Sequence, residues 1–260
     1  MKPLIIGKGQ IGTTLGHMFG DVDYYDIKES TEAQVGKWYD DIHICFPYSP
    51  QFVQLVFDYI KRYVPQTCTI HSTVMPGTTS EILELLYEHD NTNCCSVAYS
   101  PCRGRHGNDG QMETDFYYFL KFVGAPIKEH AEMCALNLIS AGFKVRVVDT
   151  AEELELGKIL QTTQSGVLIA MAQAFERYCK AVGVNYFDAM QLCDMPHGPS
   201  AMPVPGHIGG HCIEANFEFL LELVPSELLP VWITKSNELK KNEALPPGER
   251  LYPIPYRQNV

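Results

Sequence analysis

The sequence predicts an α/β protein in which a doubly wound parallel sheet is followed by a mostly α-helical domain. Three observations carry this. Short apolar runs alternate with helical stretches over residues 1–149. The turn Gly7-Lys8-Gly9-Gln10-Ile11-Gly12 joins the first apolar run to the first helix. From Thr150 the alternation stops, and one helical pattern runs unbroken to Val182, where Gly183 halts it. The predicted domains are therefore residues 1–149 and residues 150–260.

Taken in order, residues 3–6 form the first strand and Thr13 to Phe19 the first helix. Further strands are expected at 22–25, 42–46, 68–70, 94–98, 119–124 and 144–148. The helices between them are expected at 51–63, 79–89 and 127–141. Thr150-Ala151-Glu152-Glu153 has the capping-box arrangement and opens the long helix, which would measure about 48 Å at ~1.5 Å per residue. Its apolar residues, Leu156, Ile159, Leu160, Val167, Leu168, Met171, Phe175 and Tyr178, spread around more than one narrow stripe. Either the helix is buried within one subunit or it forms the spine of a homodimer. Residues 195–210, rich in Pro, Gly and His, read as a loop, with helices expected at 215–223 and 226–241 and a Pro-rich extended tail from Pro246.

Composition narrows the function. With 20 Lys+Arg against 31 Asp+Glu the net charge is -11, which disfavours nucleic acid and anionic membrane surfaces as partners. A small anion held by a few local donors remains compatible with that field. Nine cysteines are too dilute and too odd in number for a disulfide scaffold, so a reducing, cytoplasmic setting is expected. Cys45, Cys68, Cys134, Cys179 and Cys193 are expected to be small buried hydrophobes, and Cys94-Cys95 a strand pair facing opposite ways. No secretory leader is expected, and no segment nears the roughly 20 apolar residues of a membrane span.

The first glycine turn has a chemical use. Its three glycines give a tight turn, close backbone approach to a pyrophosphate and close packing of helix on strand, with helix N–H groups facing the anion. Gly7, Gly9, Gln10, Ile11 and Gly12 are thus candidate dinucleotide-binding residues in a Rossmann-like half. Asp26, ending the next strand 14 residues after Gly12, would accept from the adenosine ribose and favour NAD over NADP. Alternatively it is a solvated turn carboxylate, and Lys28 beside it blurs the preference.

Further along, His71-Ser72-Thr73-Val74-Met75-Pro76-Gly77-Thr78-Thr79 resembles the Ser-Thr-Val-x-Pro-Gly-Thr stretch of the UDP-glucose/GDP-mannose dehydrogenase family. The helix from Ala151 to Gly183, with Lys158, resembles that family's long central helix. Gly206-His207-Ile208-Gly209-Gly210-His211-Cys212 resembles its glycine-rich loop with the nucleophilic cysteine, and the likeness is greatest to the branch oxidising UDP-N-acetylhexosamines. The resemblance covers residues 1 to about 240 and implies an NAD-dependent oxidoreductase acting on CH–OH groups of a nucleotide sugar.

Residue by residue, the resemblance makes Cys212 the nucleophile that captures an aldehyde, Lys158 the stabiliser of the oxyanion or catalytic water, and Thr73 the positioner of water near the nicotinamide. It adds Pro47, Ser72 and Thr73 to the cofactor set. It assigns Arg103, Arg105, Thr162, His207, Gly209, Gly210 and Asn216 to the substrate, which would be a small molecule bound by a homodimer. Three positions depart from the pattern: Cys102 stands in the place of a glutamate, Thr162 of an asparagine and Asn216 of an aspartate. The family's third, nucleotide-closing domain has no counterpart in the sequence. Without those carboxylates, which typically contribute about 10²- to 10⁴-fold each, a single hydride transfer, or a reduction running the other way, with Lys158 as the polarising acid/base, is expected in place of the full oxidation.

Two other readings stay open: a small-hydroxyacid dehydrogenase or reductase of the 6-phosphogluconate dehydrogenase kind, and a non-catalytic nucleotide-binding protein. Arg103-Gly104-Arg105-His106-Gly107 is either an anion grip or a solvated loop. No metal is expected, because His207, His211, Cys212 and Cys102 match no common zinc spacing.

Overall fold

The structure, a computed structural model, describes residues 2–28, 37–89, 95–104, 110–191, 204–208, 213–226 and 228–242. Two compact units divide the chain, Met1–Lys158 and Ile159–Val260.

The first unit is built on β1 (Leu4–Ile6), β2 (Asp23–Tyr25), β3 (Asp41–Ile44), β4 (Thr67–Ile70) and β5 (Ser96–Tyr99). These form one parallel sheet in the order β2-β1-β3-β4-β5. The four strands inside the edge strand β2 are buried on both faces, and the two-residue period sorts their side chains between them. Leu4, Ile6, Ile42, Ile44, Cys68, Ile70, Val97 and Tyr99 enter one core, beneath α2 (Phe52–Tyr63) and α3 (Thr78–His89). Ile5 and Ala98 enter the other, with α1 (Gln10–Phe19), α4 (Gln111–Tyr118) and α5 (Lys128–Ser140). β6 (Lys121–Val123) and β7 (Val145–Val147) make a separate parallel pair, tied to β5 by an antiparallel bridge between Tyr99 and Gly124.

The α/β alternation expected from the sequence is the observed one, with differences at the edges. α1 begins at Gln10, three residues before the expected start, so Gly12 packs inside the helix. The third strand ends at Ile44, which leaves Cys45 and Phe46 in the turn beyond it. β5 starts at Ser96, so Cys95 precedes the strand instead of lying within it; Cys94 lies outside the described residues. α4 was not expected at all. Its Gln-Met-Glu-Thr-Asp-Phe-Tyr-Tyr run is short and mixed in character, and burial of Met112, Asp115 and Phe116 decides its state.

The long helix α6 spans Ala151–Val182, and Thr150 Oγ1 accepts from Glu153 N at 3.3 Å as the capping sequence predicts. Gly183 takes φ +75 immediately after it, a left-handed end that suits glycine. In the second unit α7 (Tyr186–Met190), α8 (Asn216–Leu223) and α9 (Leu229–Asn242) follow. α7, also unexpected, is opened by Asn185, whose side chain accepts from Phe187 N and Asp188 N. Among the described residues two small cores lie in this unit, one of Ala170, Ile208, Phe217 and Ile233 and one of Ala172, Tyr186 and Met190. Among the described residues no helix is long and apolar enough to cross a membrane.

Candidate functional site

The strand order of the sheet reverses direction at β1 and β3, and ligands of doubly wound sheets lie in the crevice outside the carboxyl ends at such a point. Here those ends are the glycine turn after β1 and Cys45-Phe46-Pro47 after β3. Gly7 has φ +100, and a Cβ there would lie 2.8 Å from Cys45 C and from Phe46 N, so only glycine lets the two turns meet. A Cβ on Gly12 would lie 2.0 Å from the Gly7 carbonyl oxygen, which fixes the close packing of α1 on the turn. Gly9 differs. A Cβ there would meet nothing within 4 Å, so its face of the turn is open, as a backbone cradle for a pyrophosphate requires.

Asp26 closes this cradle from beneath. Its Oδ2 accepts from Lys8 N at 2.8 Å and its Oδ1 from Lys28 N at 2.9 Å. The two backbone bonds, Lys28 first, hold the carboxyl below the usual carboxylate range, so Asp26 is anionic at neutral pH. Its first task is therefore to shape the turn, with acceptor capacity left over for a ribose hydroxyl. The residues fit a nicotinamide dinucleotide: open Gly9, the α1 N-terminus at Gln10 and Ile11, and a carboxylate at the end of β2.

The next turn is held to the same edge. Ser72 Oγ donates to the Phe46 carbonyl at 2.6 Å, which joins the end of β4 to the end of β3 beside exposed Pro47. Its hydroxyl is a scaffold bond. Thr73, half-buried, follows it in that turn. The rest of the Ser-Thr-Val-Met-Pro-Gly-Thr stretch is anchored by a residue that sequence reasoning missed. Glu155, fully buried in the second turn of α6, accepts from Gly77 N at 2.7 Å, Thr79 N at 2.9 Å and Thr79 Oγ1 at 2.5 Å. One carboxylate thus satisfies the opening N–H groups of α3. Burial pushes its carboxyl above the ordinary value, against the pull of those three bonds. Lys158 follows Glu155 by one helical turn and is half-buried. Nothing in the residue pattern of α6 marks Glu155, since its partners lie more than 70 residues away.

Within the second unit, Thr162 and Asn216 are brought together: Asn216 Nδ2 donates to Thr162 Oγ1, which in turn donates to the Ile159 carbonyl at 3.0 Å. Two of the three departures from the expected pattern are thus one hydrogen-bonded pair. His207 is exposed, while its neighbour Ile208 is clamped by Asn237, which accepts from Ile208 N at 2.8 Å and donates to Ile208 O at 3.0 Å. Asn237 also donates to Glu214 Oε1 at 2.9 Å, and Gln173 Nε2 donates to Gly206 O at 2.7 Å. Ile213 packs against α6 where a Cβ on Gly166 would lie 2.8 Å from its Cγ2. Both flanks of the Gly209 to Cys212 segment are therefore fixed. Gly209, Gly210 and Cys212 themselves, and Arg105, lie outside the described residues. Arg103 is exposed, its guanidinium 4.5 Å from the Phe119 ring centroid. Among the described residues no three His, Cys, Asp or Glu side chains gather as a metal site.

Residues 152–242 match the model of the UDP-glucose/GDP-mannose dehydrogenase family, central domain. A UDP-N-acetyl-D-mannosamine dehydrogenase of Methanococcus maripaludis is 26% identical over 206 residues, 74% of this chain and 46% of that one. One of Methanocaldococcus jannaschii is 30% identical over 178 residues, 66% of this chain and 39% of that one. The chain spans about half the length of the curated relatives it matches, or less. In fold it is similar to a UDP-D-ManNAc dehydrogenase from Pyrococcus horikoshii, with TM-score 0.76 at 22% identity over 92% of this chain and 68% of that one. A UDP-glucose dehydrogenase from Pyrobaculum islandicum gives TM-score 0.73 at 16% identity, with the same coverage. The likeness to the central domain of the UDP-glucose/GDP-mannose dehydrogenase family thus falls on residues 152–242, from α6 to α9.

Proposed function

We propose that the chain is an NAD-dependent oxidoreductase that removes a single hydride from a CH–OH group of a nucleotide sugar. The observation that carries this reading is the cradle at β1 and α1, with Gly9 open and Asp26 bound to Lys8 N, beside a matched dehydrogenase central domain. When bound, the nicotinamide supplies the hydride acceptor. Gly7 to Gly12 hold the pyrophosphate, Asp26 the adenosine ribose, and Pro47, Ser72 and Thr73 line the edge of the sheet where the reactive ring belongs. Lys158 polarises the substrate oxygen and takes its proton; Cys212 stands on the loop whose flanks Asn237 holds. The resemblance to those dehydrogenases assigns His207, Arg103, Arg105, Thr162 and Asn216 to the sugar nucleotide. Residues 1–149 serve the cofactor and residues 150–260 the substrate, in a cytoplasmic homodimer. The exposed Leu156, Leu160 and Leu168 on α6 support that dimer.

One hydride rather than two follows from Cys102, Thr162 and Asn216 standing where thioester hydrolysis would draw on carboxylate and amide groups. The test is NADH formed per sugar consumed across a panel of UDP- and GDP-sugars. One is expected. Two would overturn the single-hydride reading, and no turnover by a folded protein that binds NADH would overturn the enzymatic one. Lys158→Ala should abolish most of the rate.

A further inference from the structure

A cleft beyond the end of β5 and at the start of β6 holds a pair of groups for which the proposed reaction has no use. Cys102 and Lys121 line it with Pro101, Arg103, Phe116 and Phe143, and it is narrow, with room for little more than a water-sized molecule. Lys121 is 6% exposed, and its Nζ donates to the Ser100 carbonyl at 3.2 Å and the Pro101 carbonyl at 3.5 Å. Its third neighbour is Cys102 Sγ at 3.4 Å, while the rings of Phe116 and Phe143 stand 5.7 and 5.6 Å away. No carboxylate among the described residues pairs with it.

A buried ammonium is costly without a counter-charge, and two neutral carbonyls only partly supply one. Of the groups in contact, the sulfur is the one that can develop negative charge, and an adjacent ammonium stabilises that charge as the sulfur attacks. Cys68 and Cys134 make their described contacts to other groups. Burial pushes Cys68 well above its ordinary value and Cys134 up to about 12, and the nearby Asp41 carboxylate raises both further.

We propose that Cys102, whose sulfur lies 3.4 Å from Lys121 Nζ and keeps a small exposed area, is an ammonium-activated thiol, a modification site that reacts with small soft electrophiles and hydrogen peroxide. With an alkyl iodide, an S–C bond forms as C–I breaks, iodide leaves and the thiol proton passes to solvent. With hydrogen peroxide, an S–O bond forms as O–O breaks; Cys102 is oxidised to the sulfenic acid and the peroxide is reduced, leaving with the thiol proton as water.

The experiment is iodoacetamide labelling of the folded full chain, read peptide by peptide by mass spectrometry. Cys102 should label at least about tenfold faster than Cys68 and Cys134. Lys121→Met should slow Cys102 by about tenfold and leave the other sites unchanged, whereas Lys121→Arg should keep most of the rate. Labelling of Cys102 no faster than Cys134, or a rate indifferent to Lys121→Met, overturns the proposal. If the Met variant fails to fold, the wild-type ratio and the Arg variant decide it. Hydrogen peroxide followed by dimedone should leave an adduct on Cys102; adducts confined to other cysteines overturn the oxidation step.

Discussion

In residues 1–158 the turns around the proposed cofactor are shaped by backbone: Gly7 and Gly12 sit where a Cβ would strike other main-chain atoms, and the carboxylates of Asp26 and Glu155 bind N–H groups. In residues 159–260 the loop flanking Cys212 is held by side-chain amides, Asn237 and Gln173, over a core of only a few buried apolar residues. A backbone-built site tolerates almost no change at its glycines. An amide-built one fails gradually, bond by bond, because each net hydrogen bond contributes about 1 kcal/mol.

Four measurements would sharpen or break this contrast. Gly12→Ala places a methyl against the Gly7 carbonyl and should cost about 3 kcal/mol in urea unfolding, with loss of NADH binding. Its control, Gly9→Ala, should fold within about 0.5 kcal/mol of the wild type and still bind NADH more weakly, because only the cradle face is filled. If both behave alike, the turn is not backbone-built.

Glu155→Gln comes next. One N–H of α3 then meets an amide NH₂, at a cost of about 2 kcal/mol at mildly acidic pH. The sign of the pH effect is set by burial raising the Glu155 carboxyl. A carboxyl that binds its proton more tightly when folded penalises the fold once that proton is lost, so wild-type stability should fall as pH climbs above the ordinary carboxylate range. The Gln variant should lose that slope; equal slopes would mean that Glu155 titrates normally.

Asn237→Ala should cost about 2 kcal/mol by releasing Ile208 and Glu214 together, read as a lowered melting temperature. A smaller loss is expected from Thr162→Val, which removes the Oγ1 acceptor of Asn216 Nδ2 at about 1 kcal/mol. A larger loss there than at Asn237 would reverse the ranking of the two anchors.

The sheet half was more legible than the helical half. The short runs at 3–6 and 68–70, each bounded by turn residues, read as strands and are strands, and a Gly7-to-Gly12 turn between strand and helix has few other uses. The long helix was visible from its cap at Thr150 to its stop at Gly183. α4 and α7 were not visible, because eight and five residues carry too little periodicity to stand out.

Among site residues, Gly7, Gly9, Gly12 and Asp26 followed from local spacing. Glu155 and Asn237 did not, and neither did the nearness of Lys121 to Cys102. Local spacing determines the elements and the glycine turn, because backbone conformation and burial pattern are set by neighbours within a few residues. The partner of each buried polar group was decided only by tertiary structure. Glu155 reaches Gly77 across 78 residues and Asn237 reaches Ile208 across 29. A buried donor must find an acceptor somewhere, but the sequence does not say where the fold will place it.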